Sequence, residues 1–142
     1  MANEVTWIIE NHLISNKYVG TLEMSDFLTV AEMNVALMAG ISNPIHVMAD
    51  LTELDGIHSE FGHLPELVGI SRKFMSQSNL GSIVAYGTDN KLVKFLGTMI
   101  MQLNKTQWHV SPNFDEAMRY LSHIDSSLTP ELETLRSSIP ND

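Results

Sequence analysis

The chain has 142 residues, 44% of them hydrophobic, with seventeen acidic side chains against eight basic ones and a formal net charge of −9. Such a length fits one domain that fills its own core, and the absence of cysteine excludes disulfides, iron–sulfur clusters, zinc fingers and a thiol nucleophile. The acidic excess argues against binding a phosphate backbone, which depends on clustered Lys and Arg.

With no cysteine and no basic run in Met1-Ala2-Asn3-Glu4, a reducing, cytoplasmic location is expected. The charge is unevenly spread. Residues 1–71 hold ten acids and one base, Lys17, whereas residues 72–142 hold seven of each, so a polarised surface is expected. No stretch rich in Pro, Gly or Ser interrupts the apolar pattern before residue 125, and no internal repeat is present. One domain over 1–125 and a C-terminal appendage over 126–142 follow.

Trp7 to Ile14 reads as a strand, and Tyr18 to Met24 resumes it after Ser15-Asn16-Lys17, which predicts an antiparallel hairpin turning at 15–17. Thr29 and Glu32 have capping-box spacing, and Ala31, Val35 and Met38 then share one helical face up to Gly40. Ile45-His46-Val47-Met48-Ala49 is the continuous apolar run of a strand buried on both faces. Asp50 ends it, and a polar loop is expected as far as His63. Pro65 sits where a helix tolerates a missing N–H, with Leu64, Leu67, Val68 and Phe74 on its buried side. Ser82 to Tyr86 is a second buried strand, residues 90–103 a helix, and Gln107 to Val110 a last strand. Asn113 and Glu116 then cap a helix carrying Ala117, Met118, Leu121 and Ile124. In the appendage, Thr129-Pro130-Glu131 starts a short helix that Leu132, Leu135 and Ile139 would dock. The rhythm predicts an α/β fold: a mixed sheet of about five strands, with the N-terminal hairpin beside a parallel βαβ core and helices flanking it.

This order resembles the STAS superfamily, most of all its SpoIIAA-like branch. The resemblance is carried by Asp26-Phe27-Leu28-Thr29-Val30-Ala31-Glu32 leading into the first helix, by Ala49-Asp50-Leu51-Thr52 at a strand end, and by Phe114-Asp115-Glu116-Ala117 after the last strand; it spans residues 5–124. It implies a non-catalytic module that works through protein partners, and in the antagonist members a serine phosphorylated at a helix N-terminus. Laid on that pattern, His58-Ser59-Glu60-Phe61 stands against Asp-Ser-Ser-Gly. Ser59 keeps a hydroxyl there, but Glu60 supplies a fixed carboxylate in the acidic half of the chain, so a phospho-switch of that kind is not expected.

Other chemistry is thinly represented. Asp55, His58 and Glu60 would meet a divalent ion only if their loop folded back; no recognised ligand spacing is present, and no metal is expected. His46 and His109, on strands, read as hydrogen-bonded core residues, and His12 and His123 as surface positions. Ser59 lies near His58 and His63 without a nucleophile elbow or an oxyanion loop, and neither a dinucleotide fingerprint nor a Walker A loop occurs. No catalytic residue and no cofactor is expected. Ligands of open α/β sheets sit beyond the carboxyl ends of the parallel strands. That edge would gather Asp50, Thr52, His58 and Ser59 from one loop, Gly87 and Thr88 from the next, and Ser111 from the last, as a switch or ligand edge. Gly87-Thr88 before a helix also suits ordinary strand-to-helix capping.

The helix over 90–103 is the least ordinary segment. Leu92, Phe95, Leu96, Met99, Ile100 and Leu103 form one broad apolar face, and Val93 and Met101 extend it around the circumference, with Gly97 allowing a close approach. At about a dozen residues it is too short for a membrane, which needs roughly twenty. Either the C-terminal appendage covers the outer face, or that face is a homodimer seam or an apolar ligand groove. The leading reading is therefore a non-enzymatic regulatory or signalling module that binds a protein partner and self-associates through this helix. The alternative is a carrier or sensor of a small apolar or lipid-like ligand held between this helix and the sheet. No nucleic-acid partner and no transmembrane segment is expected.

Overall fold

The computed structural model describes residues 3–58 and 64–137. Its elements run β1 (Glu4–Ile9), β2 (Leu13–Leu22), α1 (Met24–Met38), β3 (Ile45–Ile57), α2 (Leu64–Met75), β4 (Leu80–Tyr86), α3 (Lys91–Leu103), β5 (Gln107–Ser111), α4 (Phe114–Ile124), a single 3-10 turn (Ser126–Leu128) and α5 (Thr129–Ser137). Among the described residues the strands form one sheet in the order β1-β2-β3-β4-β5, with β1 antiparallel to β2 and the remaining pairs parallel. The expected mixed α/β architecture is present. Because strand order follows chain order, the acidic first half of the sequence occupies one lateral side of the sheet.

Successive parallel strands step in one direction, and right-handed crossovers then carry every connecting helix to the same face. Accordingly α1, α2 and α3 share a core cluster in which Val30, Met38, Leu67, Phe74 and Ile100 pack on Val47 and Ile83. On the other face Met48, Val84 and Tyr86 meet Ala117, Met118 and Leu121 of α4 and Leu128 and Leu132 of the C-terminal segment. The alternation of strand side chains divides β3 between the two layers, Val47 to one and Met48 to the other.

Several local expectations are corrected. The hairpin turns at residues 10–12, where Asn11 has φ 66°, a left-handed conformation that Asn tolerates better than most side chains. Residues 15–17 lie inside β2, with Ser15 opposite Thr6 and Lys17 opposite Glu4. Helix α1 begins earlier than expected, because Glu23 and Asp26 form the capping box, and the Thr29 hydroxyl instead donates back to Ser25 O at 2.9 Å. The polar stretch after Asp50 is strand as far as Ile57, paired with Val19–Leu22 of β2. Two register shifts along that pairing interrupt the period of two by which a strand is recognised. The expected Asn113 cap is present, its Oδ1 accepting from Glu116 N at 2.9 Å.

The C-terminal segment does not cover α3. It packs on the α4 face, where Leu132 is fully buried and Arg136 Nε donates to Asp115 Oδ1 at 2.6 Å; Ile139 lies outside the described residues. His46 ties this segment to the sheet. Its Nδ1 accepts from Ser82 N–H at 3.0 Å, so the ring proton is on Nε2, which donates to Asp125 Oδ2 at 3.0 Å. The Ser127 hydroxyl first, and His46 after it, hold the Asp125 carboxyl below its usual range, against the opposing effect of burial. A carboxyl lowered on folding contributes stability that is complete above the unfolded value, near pH 4, and is lost as the pH falls through the lowered folded value. Urea denaturation at pH 6 and pH 3 is therefore expected to show a smaller acid loss for Asp125→Asn than for the natural chain.

Candidate functional site

Two places gather chemistry. The first is the carboxyl edge. Register brings Asp50, Tyr86 and Ser111 side by side across β3, β4 and β5, and Gly87, at φ 92°, abuts Thr52 so closely that a Cβ would stand 3.0 Å from the Thr52 nitrogen. Asp50 Oδ1 accepts from Thr52 N–H at 3.0 Å and from its hydroxyl at 2.6 Å. Burial above all, with the Asp50 charge and hydrogen bond adding to it, pushes the Tyr86 phenol well above its usual range and keeps it protonated. Thr88 accepts from Asn90 N–H at 3.1 Å, and Asn90 Oδ1 in turn accepts from Val93 N–H at 3.2 Å. These are the bonds of ordinary strand-to-helix capping, and they engage the Asn90 and Val93 N–H groups at the start of α3.

His58 is not part of this edge. It follows the end of the long β3, eight residues beyond Asp50, on the order of 25 Å away at about 3.3 Å per residue, and its N–H donates to Leu22 O at 2.9 Å. The cause is the strand that replaces the expected loop. Ser59, Glu60 and His63 lie outside the described residues, and so does the full Asp55, His58 and Glu60 set. Among the described residues no group of three or more His, Asp or Glu is placed to hold a metal. His109 is half-buried and stacks on Tyr120 with ring centroids 3.9 Å apart; His12 is half-buried beside Asn43, and His123 is exposed.

The second place is a cavity of about 110 Å³ between the sheet and the layer of α1, α2 and α3. Its walls are mostly aliphatic and aromatic, with Val47 and Ala85 from the sheet, Phe27 from α1, Phe74 from α2, and Ile100 and Met101 from α3. The register shifts in β3 re-aim Leu54 and Ile57 onto this same face, where with Leu22 they wall one end. Roughly 10–15 Å³ admits a single water, whereas an engineered apolar cavity near 150 Å³ takes up benzene, so this space is of small-molecule size.

Helix α3 roofs the cavity by a face that shares Ile100 with the expected one. Val93, Gly97, Ile100 and Met101 line the cavity, while Phe95 and Leu103 are each 53% exposed and Met99 is half-buried. The side chains of Leu92 and Leu96 lie outside the described set. Gly97 marks the close approach: a Cβ there would stand 3.0 Å from Trp108 Cζ2, so any larger residue would press on that ring. Trp108 Nε1 donates to Thr98 Oγ1 at 3.2 Å, and Asn104 Nδ2 to Ser71 Oγ at 3.0 Å, fixing the helix at both ends of the contact.

Polar groups in the cavity wall are few. Asn16 from β2 and Asn34 from α1 are 3% and 0% exposed, and the Oδ1 of each is buried without a partner among the described residues. Asn34 Nδ2 donates to Val30 O at 2.8 Å, which sets the orientation of its amide. Burial raises the neighbouring Tyr18 phenol well above its usual range, tempered by a hydrogen bond from Asn16. Neither asparagine stands out by sequence motif, although Asn34 interrupts the apolar stripe of Val30, Ala31 and Met38, and that was the available signal.

No family model and no curated protein sequence matches the chain. Solved structures do. One is an uncharacterized protein of the DUF3478 family from Shewanella loihica PV-4, described as having a SpoIIAA-like fold: TM-score 0.59, 18% identity, covering 84% of this chain and 92% of that one. Another is the anti-sigma factor antagonist SpoIIAA in its unphosphorylated form, with a TM-score of 0.49 and 12% identity over 84% of this chain and 97% of that one. The first likeness agrees with the strand order and the mixed sheet described above, and the chain has the SpoIIAA-like fold.

Proposed function

We propose that this protein is a SpoIIAA-like module that carries or senses a small apolar molecule, held between the sheet and α1–α3, without reacting with it. The observation that carries the reading is the cavity: about 110 Å³, walled by apolar side chains from every element of that layer. Close-packed interiors leave few voids larger than a water, so a space of this size amid bulky side chains is a feature to be explained. Its walls offer dispersion contact and two hydrogen-bond acceptors, which suits retention of a guest. Native mass spectrometry of protein taken directly from cells is expected to show an adduct that a denaturing spray removes; protein at its bare mass under both conditions contradicts the reading.

A second observation favours a partner protein as well. Phe95, Met99 and Leu103 recur at four-residue steps along the outer side of α3, and Phe95 with Met99 borders a surface groove that Lys91, Lys94 and Thr98 complete. The same helix thus faces a cavity on one side and presents an apolar stripe on the other. A guest that binds one position of α3 better than another shifts the population of that position, which gives a sensor its output. Self-association through this stripe is the simplest form of that contact. Light scattering across a hundredfold concentration range is expected to show dimer formation that Phe95→Ser weakens at least tenfold; a strict monomer counts against the seam and leaves the cavity reading standing.

A further inference from the structure

The buried asparagines say what kind of guest the cavity takes. A carboxamide oxygen removed from water without a partner costs free energy that a buried donor would recover, and two such oxygens, Asn16 Oδ1 and Asn34 Oδ1, belong to side chains that line one apolar space. They border it from different layers, recessed in its wall, Asn16 from the sheet and Asn34 from α1. For Asn34 the amide nitrogen is engaged with Val30 O, so it is the acceptor end that is left over. The one charged residue of the wall among the described residues, Lys94, also borders the outer groove with Phe95 and Thr98, which places it at the rim. An interior with acceptors and no cation disfavours a carboxylate and favours a neutral group that donates.

Resting on the apolar-ligand reading above, we infer that the ligand is a small neutral hydroxyl compound, a phenol or a compact alcohol, whose O–H donates to Asn34 Oδ1 or Asn16 Oδ1 while its apolar body fills the space beneath α3. A hydroxyl buried without an acceptor weakens binding by about five- to hundredfold relative to its apolar counterpart. In this site that penalty is offset.

Isothermal titration of the full chain with phenol, toluene and benzoate tests this. Phenol is expected to bind at least as tightly as toluene, and benzoate at least tenfold more weakly than either. Asn34→Leu or Asn16→Leu is expected to weaken phenol at least tenfold while toluene changes less than threefold. Toluene binding with phenol tenfold weaker overturns the inference and spares the cavity reading, as does an unchanged phenol-to-toluene ratio in both variants; either is the pattern of a site whose acceptors hold only water. Benzoate binding tightest overturns it in favour of a carboxylate seated at Lys94. If none of the three binds, the cavity reading itself fails. Should both variants fail to fold, the phenol–toluene comparison on the natural chain decides.

Discussion

Leu121→Ala is expected to cost about 2–5 kcal/mol of folding stability, against a total of about 5–15 kcal/mol for a domain of ordinary stability. Leu121 is fully buried on α4 and belongs to the layer in which Met48, Val84, Met118, Leu128 and Leu132 also meet. Truncation there removes the transfer free energy of three carbons and leaves a void that close-packed neighbours fill only in part. A fall in Tm on the order of 10 °C follows, measurable by thermal or urea denaturation. Leu121→Met, which keeps the volume, is expected to cost less than about 1.5 kcal/mol. Equal losses for the two variants would mean that this layer is not packed as described.

The opposite face is expected to answer an opposite change. Ala85 is 1% exposed on β4, belongs to the core cluster of that face and lines the cavity. In a filled core Ala→Ile overpacks and costs about 1–3 kcal/mol. Here the added carbons enter empty space, and burying them contributes roughly 0.8 kcal/mol for each methylene-sized group, less the loss of side-chain freedom. Ala85→Ile is therefore expected to leave stability unchanged or raise it by about 1 kcal/mol, and at the same time to abolish uptake of toluene. The sign of the stability change reads the cavity directly: a loss of 1 kcal/mol or more would mean that the space is already occupied by protein.

The sheet and its helices were legible because the apolar runs are strong. Ile45–Ala49 and Ser82–Tyr86 are short, continuous and flanked by turn residues, and the stripe through Ala117, Met118 and Leu121 admits one period. Where the pattern failed, a specific local interaction replaced it. Asn11 turns the hairpin by adopting a positive φ, a choice that Ser15-Asn16-Lys17 appeared equally fit to make. The strand beyond Asp50 was hidden by two register shifts, since a bulge destroys the alternation on which a strand assignment rests. Extension of that strand then separates His58 from Asp50, so an edge that looked contiguous along the chain is divided in space.

The candidate site was legible only in outline. Apolar residues around most of α3 pointed to a helix with two occupied sides, and Gly97 marked a close approach. The side that faces inward is the one on which Gly97 meets the ring of Trp108 of β5, eleven residues further on. The docking of the C-terminal helix was equally open: Leu132 and Leu135 fit either helical layer, and the His46–Asp125 bond together with Leu128 selects the α4 side. That choice leaves the outer stripe of α3 uncovered by the C-terminal segment. The acceptors at Asn16 and Asn34 carry no motif, and their significance arises from burial without a partner.

A nitrogen–proton correlation NMR titration of the isotope-labelled chain with toluene decides whether the space beneath α3 takes a guest. Saturable shifts are expected at cavity-lining backbone positions on both walls, Ala31 and Asn34 of α1, Ala85 of β4, and Gly97 and Met101 of α3, with Leu121 and Leu132 on the opposite face unmoved. No saturable shift, or shifts confined to the α4 and α5 face, would contradict uptake there.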